Sequence, residues 1–145
     1  MTERNLPQLY SLTAIGVATF LGSALAAGYM LASNYTALGK RQIGVYTLWG
    51  SVLVVLAFAL LPPSFAVNPT VAIAAMVGQV ILVLAVANKL QGAMFTSFKE
   101  MGGEYFPMTR AVLIGVAASL VLLVALSLVI GALTAAGWQP QQPNA

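Results

Sequence analysis

The sequence predicts an all-α polytopic membrane protein with four transmembrane helices, and three observations predict it. Of 145 residues, 60% are hydrophobic and 6% charged, at a mean hydropathy of +0.92, well outside the balance of a soluble domain. The apolar residues gather into four runs, each near the roughly 20 residues with which a helix crosses the hydrocarbon core. The six Lys and Arg residues stand between those runs or at their ends. Residues 1–138 therefore read as one four-helix transmembrane domain and 139–145 as a disordered polar tail.

The first run extends from about Ser11 to about Ser33, with Tyr10 where an aromatic ring meets the headgroups. Ala24-Leu25-Ala26 resembles a small-residue cleavage site, so a signal peptide is the competing reading. A weakly basic leader and an overlong apolar run argue against it. Within this run Gly22 and Ala26, Ser23 and Ala27, and Ala24 and Gly28 stand four apart, a spacing that lets another backbone approach closely. Asn34, Tyr35 and Thr36 end the run, and Gly39 can supply the positive φ of a helix stop. Lys40 and Arg41 fill the loop.

The second run covers Ile43 to Leu61, with Tyr46 and Trp49 as belt residues and Pro62-Pro63 as terminators. After an uncharged turn from Pro62 to Pro69, the third begins near Thr70 and stays apolar to about Ala87, interrupted only by Gln79. Leu90, Met94, Phe95, Phe98 and Met101 then recur at helical spacing opposite Gln91, Thr96, Ser97, Lys99 and Glu100. This predicts an amphipathic cytoplasmic segment that either continues the third helix or lies along the interface, with Gly102-Gly103 as its stop. Glu104 to Thr109 connects to the fourth run, Ala111 to Ala136, whose entry carries the small residues Ala111, Gly115 and Ser119. Trp138 marks the far interface.

Helices that cross in sequence place loops one and three together, opposite both termini and loop two. Those two loops hold Lys40, Arg41, Lys89, Lys99 and Arg110, whereas the other side holds Arg4 alone. The positive-inside rule then puts the charged loops in the cytoplasm and both termini on the opposite side, which in a bacterial inner membrane is the periplasm.

Cys and His are absent, and Glu3, Glu100 and Glu104 are the only carboxylates. Thiolate and imidazole metal sites are excluded, and no carboxylate relay lies in an apolar run. No cofactor, no metal and no enzymatic constellation are expected. The net charge of +3 sits at helix ends, where topology explains it better than nucleic-acid binding.

The candidate residues are therefore of three kinds. Gly22, Ala26, Gly28, Gly115 and Ser119 are candidates for helix packing. Gln79 is the polar side chain at mid-span, read first as interhelical glue and second as a substrate contact. Lys40, Arg41, Lys89, Lys99 and Arg110 form a cytoplasmic charged set that fixes topology, and Lys89, Lys99 and Arg110, with Glu100 and Glu104, make a mixed-charge segment that offers itself to anionic headgroups or a partner protein. Asn34, Asn88 and Gln91 fall at span ends, where water leaves polar residues unremarkable.

The stretch FLGSALAAGYMLASNYTALGK (Phe20 to Lys40), followed by QGAMFTSFKEMGGEYFPMTRAVLIG (Gln91 to Gly115), resembles an uncharacterised family of small bacterial four-helix integral membrane proteins. Ala24 replaces a proline of that pattern and Ser33 a basic residue. The resemblance implies the fold and no activity. The functional expectation is a non-enzymatic membrane protein that works through helix-helix or lipid contacts, as an accessory subunit or homo-oligomer. Its partners are the bilayer and a second copy or another membrane protein. A small oligomeric transporter or channel is the alternative.

Overall fold

A computed structural model describes residues 6–60 and 68–137. Four α-helices account for almost all of them: α1 (Leu12–Ala37), α2 (Arg41–Ala59), α3 (Pro69–Glu100) and α4 (Met108–Ala135). There is no strand among the described residues, and each of the four helices is long and apolar enough to cross a membrane. The expected all-α fold is the one found. The predicted Pro62-Pro63 stop, Trp138 and the polar tail lie outside the described residues.

Local signals set the helix ends. Ser11 caps α1 by accepting from the Ala14 N–H at 3.2 Å, and Asn68 caps α3 by accepting from the Thr70 N–H at 3.0 Å, with Pro69 at the first helical position. Gly39 and Gly102 both take positive φ, 75° and 76°. Each turns the chain out of its helix while the following N–H returns to a carbonyl: Lys40 to Tyr35 at 2.8 Å and Gly103 to Phe98 at 2.9 Å. Of the two courses open to the amphipathic segment, the structure takes the first: α3 continues unbroken through it. Phe98 is buried, Met94 and Phe95 are half-buried, and Leu90 and Met101 remain exposed.

The path of α1 departs from a straight crossing. Gly22 (φ −126°, ψ 15°) and Ser23 (φ 64°, ψ −173°) are non-helical and split it into two legs, Leu12–Leu21 and Ala24–Ala37. At 1.5 Å per residue, a continuous helix would hold Tyr10 and Asn34 about 36 Å apart. Instead the Asn34 side chain bonds both the N–H and the C=O of Tyr10, at 2.7 and 2.9 Å. The legs therefore fold back on one another as a helical hairpin. Ala14, Ile15 and Ala18 of the first leg share one buried cluster with Ala26, Ala27, Met30 and Leu31 of the second.

The consequence for topology is direct. The segment before α1 lies at the same end of the bundle as the α1–α2 and α3–α4 connections: Leu9 donates its N–H to the Glu104 carbonyl at 3.3 Å and accepts from the Phe106 N–H at 2.9 Å. The expectation that strict alternation puts the N-terminal side opposite the charged loops is not what the structure shows. The physical reason is the break at Gly22–Ser23, which returns the chain at about 15 Å depth, half of a ~30 Å hydrocarbon core.

The hairpin is the core of the molecule. Burial covers 67% of the most apolar window of α1, against 6%, 6% and 11% in α2, α3 and α4. Among the described residues the three outer helices make backbone contacts with α1 and none with one another. Beyond the hairpin tip, α4 carries Leu120, Val121, Leu123, Val124 and Leu128 exposed, an apolar surface suited to lipid.

Candidate functional site: a polar clasp and a broken tip

Two constellations hold the hairpin in place, one at its mouth and one at its tip. At the mouth, Asn34 and Gln91 are each 1% exposed. Tyr10 precedes the first helical residue, so its N–H and C=O have no intrahelical partner and must be satisfied elsewhere. The Asn34 amide satisfies both, as a neighbouring strand would. It also donates to the Gln91 side-chain oxygen at 3.2 Å, and Gln91 donates onward to the Leu31 carbonyl at 3.2 Å. One two-amide network thus ties both legs of the hairpin to α3.

Aromatic residues close around it. The Tyr35 hydroxyl donates to the Leu90 carbonyl at 3.3 Å, the Tyr10 and Phe106 rings lie 4.7 Å apart, and the Arg110 guanidinium stacks 4.0 Å over Phe106 and 5.6 Å from Tyr10. The Tyr10 hydroxyl is buried without a hydrogen-bond partner among the described residues. Burial raises its pKa above the ordinary 10.0, with Arg110 pulling it back, so the phenol is neutral at physiological pH.

At the tip, the backbone must turn where water is scarce, and unsatisfied peptide groups there cost several kcal/mol each. Ser119 of α4 donates its hydroxyl to the Leu21 carbonyl freed by the break. The Ser23 hydroxyl accepts from the Leu25 N–H at 3.4 Å and so caps the second leg. Gly22 lies flat against Gly115, where an added Cβ would come within 2.8 Å of the Gly115 Cα.

The predicted packing residues are thus brought together inside one chain: Gly22 meets Gly115, Gly28 meets Ser51 of α2, Ala26 is buried in the core, and Ser119 bonds the tip. The stripe that the sequence offers to another backbone is occupied by α2 and α4 of the same molecule. The charged set shares one end: Arg110 lies beside Tyr10, Lys40 and Arg41 follow Tyr35, and Lys89 adjoins Leu90. Gln79 is half-buried at the level of the tip, next to Val80, which lies beside Phe20 and Leu21. It has no hydrogen-bond partner among the described residues.

No family model, curated protein or solved structure matches the chain. Among the described residues no three His, Cys, Asp or Glu side chains gather where a metal could bind. The constellations fasten a hairpin. Asn34 and Gln91 carry the clasp and are buried, although their place at the ends of apolar runs predicts solvated side chains. The available signal was symmetry: a Gly-Ser pair at mid-run, with Tyr10 and Asn34 at nearly equal distances before and after it.

Proposed function

We propose that the chain is a multi-pass protein of the bacterial inner membrane that works without catalysis, through contacts of its embedded surface with other helices or lipid, as an accessory subunit or homo-oligomer. One observation carries this reading: among the described residues the outer helices make backbone contacts with the hairpin and none with one another, and their apolar side chains beyond its tip are exposed. Five cations at the hairpin-mouth end orient it toward the cytoplasm. The residues leading into α1 share that side, and the end of α4 faces the periplasm. Native mass spectrometry and crosslinking in mild detergent test the reading. A defined oligomer or a stoichiometric co-purifying protein is expected, and a strictly monomeric chain that brings nothing with it overturns it. Because the chain has no Cys, single cysteines at Gln8 and Gly137 report orientation cleanly, and labelling of both from the same side rejects the map.

A small oligomeric transporter or channel is the second reading, favoured by the broken helix, since discontinuous helices with half-helix ends at mid-membrane recur in transporters. Under it, Gln79→Leu abolishes flux in a liposome assay, and unchanged flux removes that residue from the path.

A further inference from the structure

Between α2 and α3, which make no backbone contact with each other, an apolar groove of about 310 Å³ runs over the second leg of the hairpin. Ala27 and Gly28 form its floor, Gly50 and Val54 one wall, Val86 and Leu90 the other. The two hydroxyls along it are already engaged with their own helix: Thr47 donates to the Ile43 carbonyl at 2.8 Å and Ser51 to the Leu48 carbonyl at 2.7 Å. No free donor remains for a polar solute. The lining runs from Thr47 to Val54 on one wall and from Leu82 to Leu90 on the other, about 10–12 Å along the helix axes. That is the direction in which an acyl chain lies.

Helical register places charge at one end of it. Thr47 and Val54 are seven apart and so share a row on α2, Lys40, the residue that caps that helix, stands seven before Thr47, and Leu82, Val86 and Lys89 share a row on α3 by steps of four and three. Both groove-lining rows thus end, on the cytoplasmic side of the proposed orientation, in an exposed lysine. We infer that this groove holds one acyl chain of an anionic phospholipid whose headgroup phosphate is received by Lys40 and Lys89. The inference deepens the proposed function, on which it rests, by naming lipid as a specific ligand of the embedded surface.

Gly50 makes the test clean, because a Cβ there meets nothing within 4 Å, as is also true of Gly131 on α4, away from the groove. Native mass spectrometry of the full chain, offered phosphatidylglycerol or phosphatidylcholine with identical acyl chains, reads retained lipid. The wild type should hold phosphatidylglycerol in preference. Lys40→Gln with Lys89→Gln should weaken that binding by about 30-fold, at roughly tenfold per 1.4 kcal/mol and about 1 kcal/mol per cation. Gly50→Leu should remove both lipids, and Gly131→Leu should change nothing; circular dichroism confirms that each variant is helical. Equal retention of the two lipids, insensitivity to the double lysine change, or a Gly50→Leu variant that binds as Gly131→Leu does overturns the inference. So does a lipid-free dimer that Gly50→Leu dissociates, which would assign the groove to a second copy. An oligomer that persists in every variant without bound lipid leaves the proposed function standing and removes only the lipid site.

Discussion

The two halves of the bundle are built from the same apolar residues and do different things with them. At the charged end, a folded-back hairpin fills the space between three helices, and its buried amides are matched to backbone groups and to each other. Past the tip at Gly22–Ser23, the same three helices continue with no element between them among the described residues, and α4 presents bulky side chains outward. Hydrophobicity is common to both halves, so it is not what makes one of them a core. Small residues and satisfied polar groups do that, as expected where lipid competes equally for apolar surface.

If the clasp is what separates the halves, its loss should have the largest effect. Asn34→Leu leaves the Tyr10 N–H, the Tyr10 C=O and the Gln91 side-chain oxygen unsatisfied in a buried site, at about 1–3 kcal/mol for each such group. A loss of about 3 kcal/mol or more is expected in a denaturing-detergent titration, together with protease access to residues 6–11. A variant as stable as the wild type would mean that the hairpin holds without its clasp. Next in size is Gly22→Ala. Its methyl group would press on the backbone of Gly115 rather than on a flexible side chain, and overpacking of this kind costs about 1–3 kcal/mol. The same titration reads it, and an unchanged midpoint would show that the tip does not rest on α4.

These contrasts also explain what was legible in advance. Helix number, helix type and most boundaries follow from apolar run length and from stops such as Gly39 and Gly102, whereas the caps at Ser11 and Asn68 emerge only in the structure. The fold-back does not follow, because an apolar run of that length suits one crossing as well as two half-crossings. What decides between them is a contact across 24 residues, Asn34 to Tyr10, and the partner of a polar side chain is not encoded in hydropathy. For the same reason hydropathy marks Gln79 by its depth and predicts solvated ends at Asn34 and Gln91, which are both buried.

A smaller effect of opposite sign is expected at the turn itself. Ser23 holds φ 64° with ψ −173°, a region that glycine adopts freely and other residues occupy at a cost of about 1–3 kcal/mol. Ser23→Gly relieves that cost and gives up the hydroxyl cap on Leu25, a change of a few tenths of a kcal/mol. Net stabilisation of about 1 kcal/mol should appear as a higher midpoint, and a fall in stability would mean that the hydroxyl does more at the tip than cap the second leg.

The smallest effect belongs to the residue that hydropathy alone would rank first. Gln79 stands on α3 at the boundary between the halves, level with Phe20 and Leu21, half-buried and without a hydrogen-bond partner among the described residues. An amide that has no partner to lose can be replaced by Leu at little cost to the isolated chain. Unfolding of the monomer should therefore change by less than about 0.5 kcal/mol, the range of substitutions that touch no special feature. A larger loss would show that the open half is closed in the membrane by a polar contact across copies, since an interhelical amide bond contributes about 0.6–1.7 kcal/mol there. Titrating the same variant at two protein-to-detergent ratios separates the cases, because only a contact between copies depends on concentration.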